Sequence, residues 1–215
     1  VPVVVLDWQL TATRKVVGVI TVDFGPGITA TTNHLIDLGH RRLTHVSGPR
    51  HLRTSQLRQE AFLGAVAARG IDPAAVVLIE GNLRIDGGRQ ALDVLLAQAQ
   101  RPTAVFAAND DMAAACIATA RARRLRIPTD LSVAGYGDTA AGRILQITTV
   151  QQDPVLMGKT AANRLFERLD RPDLPPKRIV LPVEVVPRSS TAPPRRGAAN
   201  PSAGGHTNTN RPPRR

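Results

Sequence analysis

The sequence predicts an α/β fold built around parallel β-sheet. Short apolar, β-rich runs recur along the chain, and segments with helical periodicity lie between most of them. Short buried strands that alternate with amphipathic helices specify parallel strands joined by right-handed crossovers. Aromatic residues make up only 3% of the 215-residue chain, so its core must be built from Val, Leu, Ile and Ala.

The predicted elements follow one another in a regular order. The strands cover 2–7, 18–22, 42–47, 75–80, 103–108 and 131–136, with a last strand over 178–187. The helices cover 27–38, 55–69, 86–99, 110–125 and 154–169. Gly39 and Gly70 follow helical patterns where a left-handed residue commonly ends a helix. Asp153 precedes Pro154, which gives a capping carboxylate before proline at the first helical position.

The positive charge is partly concentrated at the C-terminus. The chain carries a net charge of +11 at pH 7, and the residues from Ala192 onward contain five arginines and no acid, which leaves +6 on residues 1–191. Residues 192–215 are rich in Pro, Gly and Asn and have almost nothing to bury, so we predict a disordered basic tail. Two interpretations stay open: a solvated tail without a partner, and non-specific contact with nucleic acid.

The sequence lacks the signatures of common enzymes and metal sites. "GPG" at 25–27 has neither the Lys-Ser/Thr of a P-loop nor the third glycine of a dinucleotide fingerprint. The five histidines form no metal-binding pair, and Cys116 has no partner for a disulfide. No apolar run approaches the roughly 18 residues that span a bilayer, and no signal peptide opens the chain. We therefore predict a cytoplasmic protein that is not an enzyme, with no metal, cofactor or membrane contact.

Candidate ligand contacts follow from the predicted sheet alone. Ligands of open α/β sheets bind outside the carboxyl ends of the strands. The residues that directly follow the predicted strands are Asp7, Asp23, the 81–83 stretch, Asn109-Asp110 and Gly137-Asp138. Their side chains or backbone are expected to face one crevice.

Five stretches carry a resemblance to a known family. In order they are "HLIDLGHRRLTHVSGP", "RQEAFLGAVAARGI", "PTAVFAANDDMAAACIATARARRLRIPTDLSVAGYGD", "ITTVQQDPVLMGKTAANRLFERL" and "VLPVEVVPRSST". Together they resemble the effector-binding core of the lactose/galactose repressor (LacI/GalR) family of transcriptional regulators, over residues 1 to about 191. The alternatives are the solute-binding protein of a sugar transporter, which shares the fold, and a fragment without function.

The resemblance implies a fold similar to the type I periplasmic binding proteins: two lobes with parallel sheets, joined by three crossing strands. The near lobe would comprise 1–22 and 154–177, and the far lobe 23–152 and 178–191. We expect the near lobe to be truncated at its N-terminus and the family's helix-turn-helix to be missing. The resemblance further implies a homodimer in the intact protein, which binds operator DNA only through that helix-turn-helix.

The resemblance also implies an effector, a sugar or related polyol, in the cleft between the lobes. Four residues stand where family members contact the effector: Asp7, Arg58, Asn109 and Gln152. Each has a plainer alternative. Asp7 could hold its own turn, Arg58 could be a solvated helix residue, Asn109 could only cap its helix, and Gln152 could bond a neighbouring strand.

Other positions depart from the family pattern or extend the site. Gly137 stands where a hydroxyl-binding Asp is usual, although Asp138 keeps the second acid. Leu83 stands where an aromatic ring often stacks on the sugar. Trp8 and Phe24 could supply apolar walls or could be packing residues. The helix predicted over 110–125 resembles a region of dimer contact, and packing on its own sheet explains its alanine-rich face equally well.

Overall fold

Two β-sheets organise the chain in the computed structural model, which describes residues 2–6, 16–72 and 75–195. The strands are β1 (Val3–Leu6), β2 (Val16–Val22), β3 (Leu43–Ser47), β4 (Val76–Glu80), β5 (Ala104–Ala107), β6 (Ser132–Gly137), β7 (Thr148–Gln151), β8 (Lys177–Leu181) and β9 (Glu184–Val186). The helices are α1 (Phe24–Asp37), α2 (Arg53–Ala68), α3 (Ile85–Leu96), α4 (Asp110–Ala122), α5 (Ala140–Ile144) and α6 (Pro154–Asp170).

The smaller sheet has the parallel order β1-β2-β8, and the larger has the order β4-β3-β5-β6-β7-β9, in which only β9 is antiparallel. Helices α1 and α2 pack together over one face of the larger sheet, α3 and α4 over the other, and α6 covers the smaller sheet. The predicted α/β fold with two parallel-type sheets is therefore confirmed.

The chain passes between the sheets at three points: after β2, after β7 and between β8 and β9. The last crossing corrects the predicted division of the chain, which assigned 178–191 to the far lobe. Residues 178–181 pair with β2 in the smaller sheet, and only 184–186 pair with β7. Pro182 interrupts the predicted single strand, because proline has no N–H to give to a ladder.

The ends of the helices follow the local chemistry of the sequence. Asp23, Asn109 and Asp153 each accept a backbone hydrogen bond at the start of a helix. Gly39 and Gly70 have φ angles of 100° and 66°, as the left-handed helix ends required. Helix α5 was not in the predicted order, because five residues carry too little periodicity to reveal a helix.

The start of the predicted tail is ordered against the larger sheet, which corrects its boundary at Ala192. The Ala192 carbonyl accepts hydrogen bonds from Ser132 and His40, and Arg195 forms an ion pair with Asp130 at 3.1 Å. A short polar segment can thus be held by buried partners even where its own composition indicates disorder. The predictions for residues 196–215, and for Asp7 and Trp8, lie outside the described residues.

Candidate functional site

The candidate site lies at the carboxyl-terminal edge of the larger sheet, next to the crossing after β7. Arg58, Asn109, Gly137, Asp138 and Gln152 all belong to this edge or to the helix beside it. Parallel strands bring their carboxyl ends to one side, which is why residues distant in sequence meet there. The structure therefore places the described polar candidates at one edge of one sheet.

Arg58 packs against two aromatic rings. Its guanidinium carbon lies 4.7 Å from the centre of the Phe24 ring and 4.2 Å from that of Tyr136. Its Nη1 donates to the Ala108 carbonyl at 2.5 Å, and its side chain is partly buried. The two rings have centres 6.2 Å apart, so they contact the guanidinium from adjacent sides, and these cation–π contacts restrict its orientation. Arg58 is thus an organised residue of this edge, and the alternative of a solvated helix arginine is wrong.

Asn109 performs the capping role that the sequence left open. Its Oδ1 accepts from the Met112 backbone N–H at 3.0 Å at the start of α4. Its Nδ2 donates to the Leu83 carbonyl at 2.8 Å. Leu83 has a φ of 62°, which is uncommon for a residue with a branched side chain, so the bond to Asn109 supports a strained backbone.

Gln152 and Phe24 both contact Tyr136. The Gln152 Nε2 donates to the Tyr136 hydroxyl at 3.2 Å, and the Phe24 and Tyr136 rings have centres 6.2 Å apart. Phe24 and Tyr136 are both almost fully buried. The packing alternative for Phe24 is therefore realised, and Tyr136 is the residue that joins Phe24, Arg58 and Gln152. The sequence reasoning missed Tyr136, although its place between two glycines before the strand-end aspartate was a signal.

Gly137 adopts a φ of 126°, outside the range that residues with side chains readily occupy. A Cβ at this position would meet Thr139 Cγ2 at 3.4 Å. The backbone angle thus accounts for glycine where the family commonly has aspartate. The space that a missing carboxylate leaves for a ligand is a separate matter that stays a prediction.

Asp138 is engaged in ion pairs with two arginines. Its Oδ1 lies 2.5 Å from Nη2 of Arg188, and its Oδ2 lies 3.0 Å from Nε of Arg143. The Asp138 side chain is only 3% exposed. The carboxylate is held by protein partners, which opposes the expectation that Asp138 offers it to an effector.

Asp110, which the sequence predicted as a candidate ligand contact after a strand, is a buried carboxylate that holds this edge together. Asp110 is fully buried, and its Oδ2 accepts from the Thr139 N–H at 2.7 Å while its Oδ1 accepts from the Thr149 hydroxyl at 2.6 Å. A Cβ on Gly135 or Gly142 would lie 2.3 or 2.4 Å from one of these oxygens. The two glycines make room for the carboxylate, and their spacing around the strand end was its sequence signal.

His45 lies in the core behind Arg58. Its ring stacks on Phe62 with 4.9 Å between centres, and its Nδ1 is 3.0 Å from the Phe106 carbonyl. Its Nε2 has no hydrogen-bond partner among the described residues. Burial lowers the pKa of His45 to about 4. The hydrogen bond to the Phe106 carbonyl opposes this shift, and the positive charge of Arg58 adds a smaller decrease. His45 is therefore neutral at pH 7.

Two openings lie along α2. The larger, about 470 Å³, lies between the smaller sheet and the helices α1 and α2, and its lining residues are Val22, Asp23, Phe24, Gly25, Leu57, Glu60, Ala61, Arg178 and Val180. The smaller, about 240 Å³, lies at the start of α2: Ser47, Gly48, Arg50, Ser55, Gln56, Gln59 and Glu60. Among the described residues that the sequence predicted as ligand contacts, Asp23 and Phe24 line the larger opening. Arg58, Asn109 and Gln152 lie beside these openings and do not line them.

Close packing accounts for the alanine-rich face of α4. Cys116 is buried, and its Sγ contacts the Gly88 carbonyl at 3.3 Å. A Cβ on Gly88 would lie 2.8 Å from the Ala115 Cβ, so α3 and α4 approach closely through small residues. The pattern on this face follows from contacts within the chain.

Two searches of the described part of the chain gave negative results. Among its residues, no three or more His, Cys, Asp or Glu side chains are grouped so that they could hold a metal ion. No helix in this part is both long and apolar enough to cross a membrane.

The chain is similar to a family of binding domains and to transcriptional regulators that contain them. Residues 32–191 match the family model of the periplasmic binding protein-like domain. The HTH-type transcriptional repressor PurR of Haemophilus influenzae (strain PittEE) is 34% identical over 177 residues, which is 80% of this chain and 51% of that protein. The chain thus spans about half the length of this relative.

Two solved structures show the same fold at 28% identity. A LacI family transcriptional regulator from Enterococcus faecium with bound ribose has a TM-score of 0.83, covering 89% of this chain and 71% of that one. The lac repressor dimer bound to operator and the anti-inducer ONPF has a TM-score of 0.76, covering 89% and 66%. The chain belongs to the periplasmic binding protein-like domain family, in the form found in the effector-binding cores of LacI/GalR regulators.

Proposed function

We propose that this chain is the effector-sensing core of a cytoplasmic LacI/GalR-type transcriptional regulator and has no catalytic role. The effector is a sugar or related polyol that binds in the cleft between the two sheets. In the intact protein, binding changes the affinity for operator DNA, which is held by a helix-turn-helix outside this chain. The names of the relatives support this assignment, since they are transcriptional regulators.

One observation carries the proposal: Arg58, Asn109 and Gln152 are grouped at the edge of the larger sheet next to the crossing after β7. A ligand bound there and to the smaller sheet would favour one angle between the sheets over others. A ligand can shift that equilibrium only by its difference in affinity for the two arrangements. The crossing segments are the positions at which such a change of angle occurs.

The chemistry of the edge suits a polyol. The Arg58 guanidinium and the amides of Asn109 and Gln152 can donate hydrogen bonds to hydroxyl groups, and the amide oxygens can accept them. The aromatic contacts of Arg58 orient its donors. Asp138 contributes to this site through its ion pairs and not as a ligand carboxylate. On the side of the smaller sheet, Asp7 and Trp8 remain the proposed contacts.

The test is a binding screen with a matched pair of glutamine variants. D-ribose, D-galactose, ribitol and hypoxanthine are titrated by isothermal calorimetry, and the strongest binder is then measured with Gln152→Ala and with Gln98→Ala. Gln98 is exposed at the opposite edge of the sheet. We expect Gln152→Ala to weaken binding about tenfold, the cost of about one hydrogen bond, and Gln98→Ala to have no effect.

Hypoxanthine is the ligand outside the proposed class, so binding by hypoxanthine alone, or by none of the four, would count against a sugar or polyol effector. Equal binding by both variants would reject the site. Homodimerisation and operator recognition are proposals for the intact protein, supported by the lac repressor dimer on its operator. Sedimentation of the intact protein with and without operator tests both.

A further inference from the structure

A group of arginines lies at one edge of the larger sheet. Helices α3 and α4 end at its amino-terminal edge, where the strands begin, and arginines concentrate there: Arg101, Arg121, Arg123, Arg124, Arg126 and Arg195. We call these six residues the arginine surface. The carboxyl-terminal edge also carries arginines, and carboxylates pair with several of them: Glu80 with Arg50, Glu60 with Arg53, and Asp138 with Arg143 and Arg188.

The arginine surface is made of three neighbouring pairs. Arg101 and Arg123 line one depression of about 330 Å³ between the ends of α3 and α4. Arg126 and Arg195 bind the same carboxylate, that of Asp130, at 3.0 and 3.1 Å. Arg121 and Arg124 are exposed within a single turn at the end of α4.

Acidic partners neutralise only part of this charge. Arg123 pairs with Asp93 at 2.8 Å, and Arg126 and Arg195 share Asp130. Arg101, Arg121 and Arg124 make no ion pair with any described residue and are exposed to solvent. Six arginines against two aspartates leave a strong excess of positive charge on one face.

Interaction with the helix dipole explains only some of these residues. Cations near a helix C-terminus are favourable, which accounts for an arginine in the last turn of α4. Arg101, Arg126 and Arg195 lie outside the helices and gain nothing comparable. The sequence beyond Arg195 adds Arg196, Arg211, Arg214 and Arg215 and no acid.

We propose that the arginine surface binds the phosphate backbone of duplex DNA without sequence preference. Guanidinium groups match phosphate geometry with two parallel hydrogen bonds, and exposed arginines can form them at little cost of desolvation. The surface contains no aromatic side chain on which an unpaired base could stack, which favours a duplex over a single strand. This contact is separate from the proposed effector site and from the helix-turn-helix of the intact protein.

The test measures binding of the 215-residue chain to a short fluorescein-labelled duplex of arbitrary sequence, by anisotropy over a series of KCl concentrations. The surface variant replaces Arg101, Arg121 and Arg124 by Gln. The control variant replaces Lys159, Arg171 and Lys177 by Gln, which removes the same charge from exposed positions on and beside the smaller sheet. A third variant replaces the four arginines at 196, 211, 214 and 215 by Gln.

We expect the surface variant to weaken binding at least about tenfold and to lower the slope of log K against log salt by about three, one for each lost phosphate contact. The control variant should change both quantities much less. Equal losses in the two variants would show that only net charge matters and would overturn the proposal. If only the tail variant lost affinity for the duplex, the proposal would also be overturned, because the folded surface would then not contribute to binding.

Poly-L-glutamate serves as the competitor. Under the proposal, it displaces the duplex only at a much higher concentration of negative charge than unlabelled duplex does. Displacement at equal charge concentration would mean that the surface suits an acidic polypeptide as well as DNA, and the assignment to nucleic acid would be wrong. Melting curves of all three variants, followed by circular dichroism, are expected to match the parent within a few degrees.

Discussion

The Asp138 carboxylate lies 2.5 Å from the Arg188 guanidinium, so the turn that ends β6 is tied to the segment that follows β9. Arg188 also donates to the Ile147 carbonyl at 2.9 Å, just before β7. Both side chains are largely buried, with exposed fractions of 3% and 14%. The pair therefore joins the edge that carries the candidate site to the returning chain beyond the third crossing.

Loss of this pair should be costly. Arg188→Ala leaves a buried carboxylate with only one charged partner, and breaking a buried ion pair costs about 3–5 kcal/mol. We expect the free energy of unfolding in urea to fall by an amount near the lower end of that range, because Arg143 remains.

Arg143→Ala is the matched control, since Arg143 binds the other oxygen of the same carboxylate with a side chain that is 60% exposed. An exposed pair is worth about 0–1 kcal/mol. A loss on Arg143→Ala as large as that on Arg188→Ala would show that burial does not govern the Asp138 interactions.

Two glycine substitutions should have opposite effects. Gly137→Ala forces a side chain into a φ of 126° and should destabilise the fold by about 1–3 kcal/mol. Gly64 lies in the middle of α2 with no atom within 4 Å of an added Cβ, so Gly64→Ala should stabilise by about 0.5–1 kcal/mol. Thermal melting of the two variants checks both signs. A stable Gly137→Ala variant would revive the interpretation in which this glycine mainly leaves space for a ligand.

The sequence predicted most elements because their patterns are local. Strand runs such as 103–108 and helices such as 110–125 show their period directly, and the structure places β5 and α4 within them. The division of 178–187 into strands of two sheets depends on pairing with β2 and β7, which no local pattern encodes. The start of α6, by contrast, could be predicted, because its Asp153-Pro154 cap is a local feature of the sequence.

The sequence predicted which residues lie at the candidate site, but it did not predict the hydrogen bonds and ion pairs that they form. Residues after strand ends had to lie together in a parallel sheet, and Asn109, Gly137 and Asp138 do. The sequence could not show that Asp138 forms ion pairs with Arg143 and Arg188, because Arg188 lies 50 positions away. Nor could it show Tyr136 beneath Arg58, because a contact across α2 and β6 depends on how the helix packs on the sheet.

Adjacent aspartates at the start of α4 should respond differently to neutralisation. Asp110 is buried and accepts from Thr139 and Thr149, whereas Asp111 is exposed. Asp110→Asn replaces one acceptor oxygen by an NH2 group that faces a donor, so we expect a loss of about 1–3 kcal/mol. Asp111→Asn loses only its interaction with the helix N-terminus, about 0.3–1 kcal/mol. Urea unfolding measures both, and equal losses would refute the bracing role of Asp110.

The Cys116 thiol should be inert in the native state. Burial raises the pKa of Cys116 to about 12, and the side chain is fully buried between α3 and α4. The reactive species is the thiolate, which such a thiol does not form at pH 8. We expect Ellman's reagent to modify no thiol in the native chain within an hour and one thiol after unfolding in guanidinium chloride. Rapid modification under native conditions would mean that α3 and α4 separate readily.

Acid should destabilise the fold through its buried histidines. Burial lowers the pKa of His45 from its ordinary 6.5 to about 4, and burial likewise lowers that of His40 to about 4. Between these values, the unfolded chain binds a proton at His45 that the folded chain does not, so the free energy of unfolding falls as the pH falls from 6.5 towards 4. The slope from His45 is at most about 1.4 kcal/mol per pH unit, and His45 contributes no further change below about pH 4.

His45→Leu separates this contribution from other acid effects. The substitution removes one titrating group from the core and keeps an apolar side chain of similar volume between Phe62 and Phe106. The free energy of unfolding of the parent minus that of the variant, measured in urea at a series of pH values from 7.5 to 4, should decrease as the pH falls, because the variant loses less stability in acid. A constant difference over that whole range would show that His45 accepts a proton as readily in the folded chain as in the unfolded one.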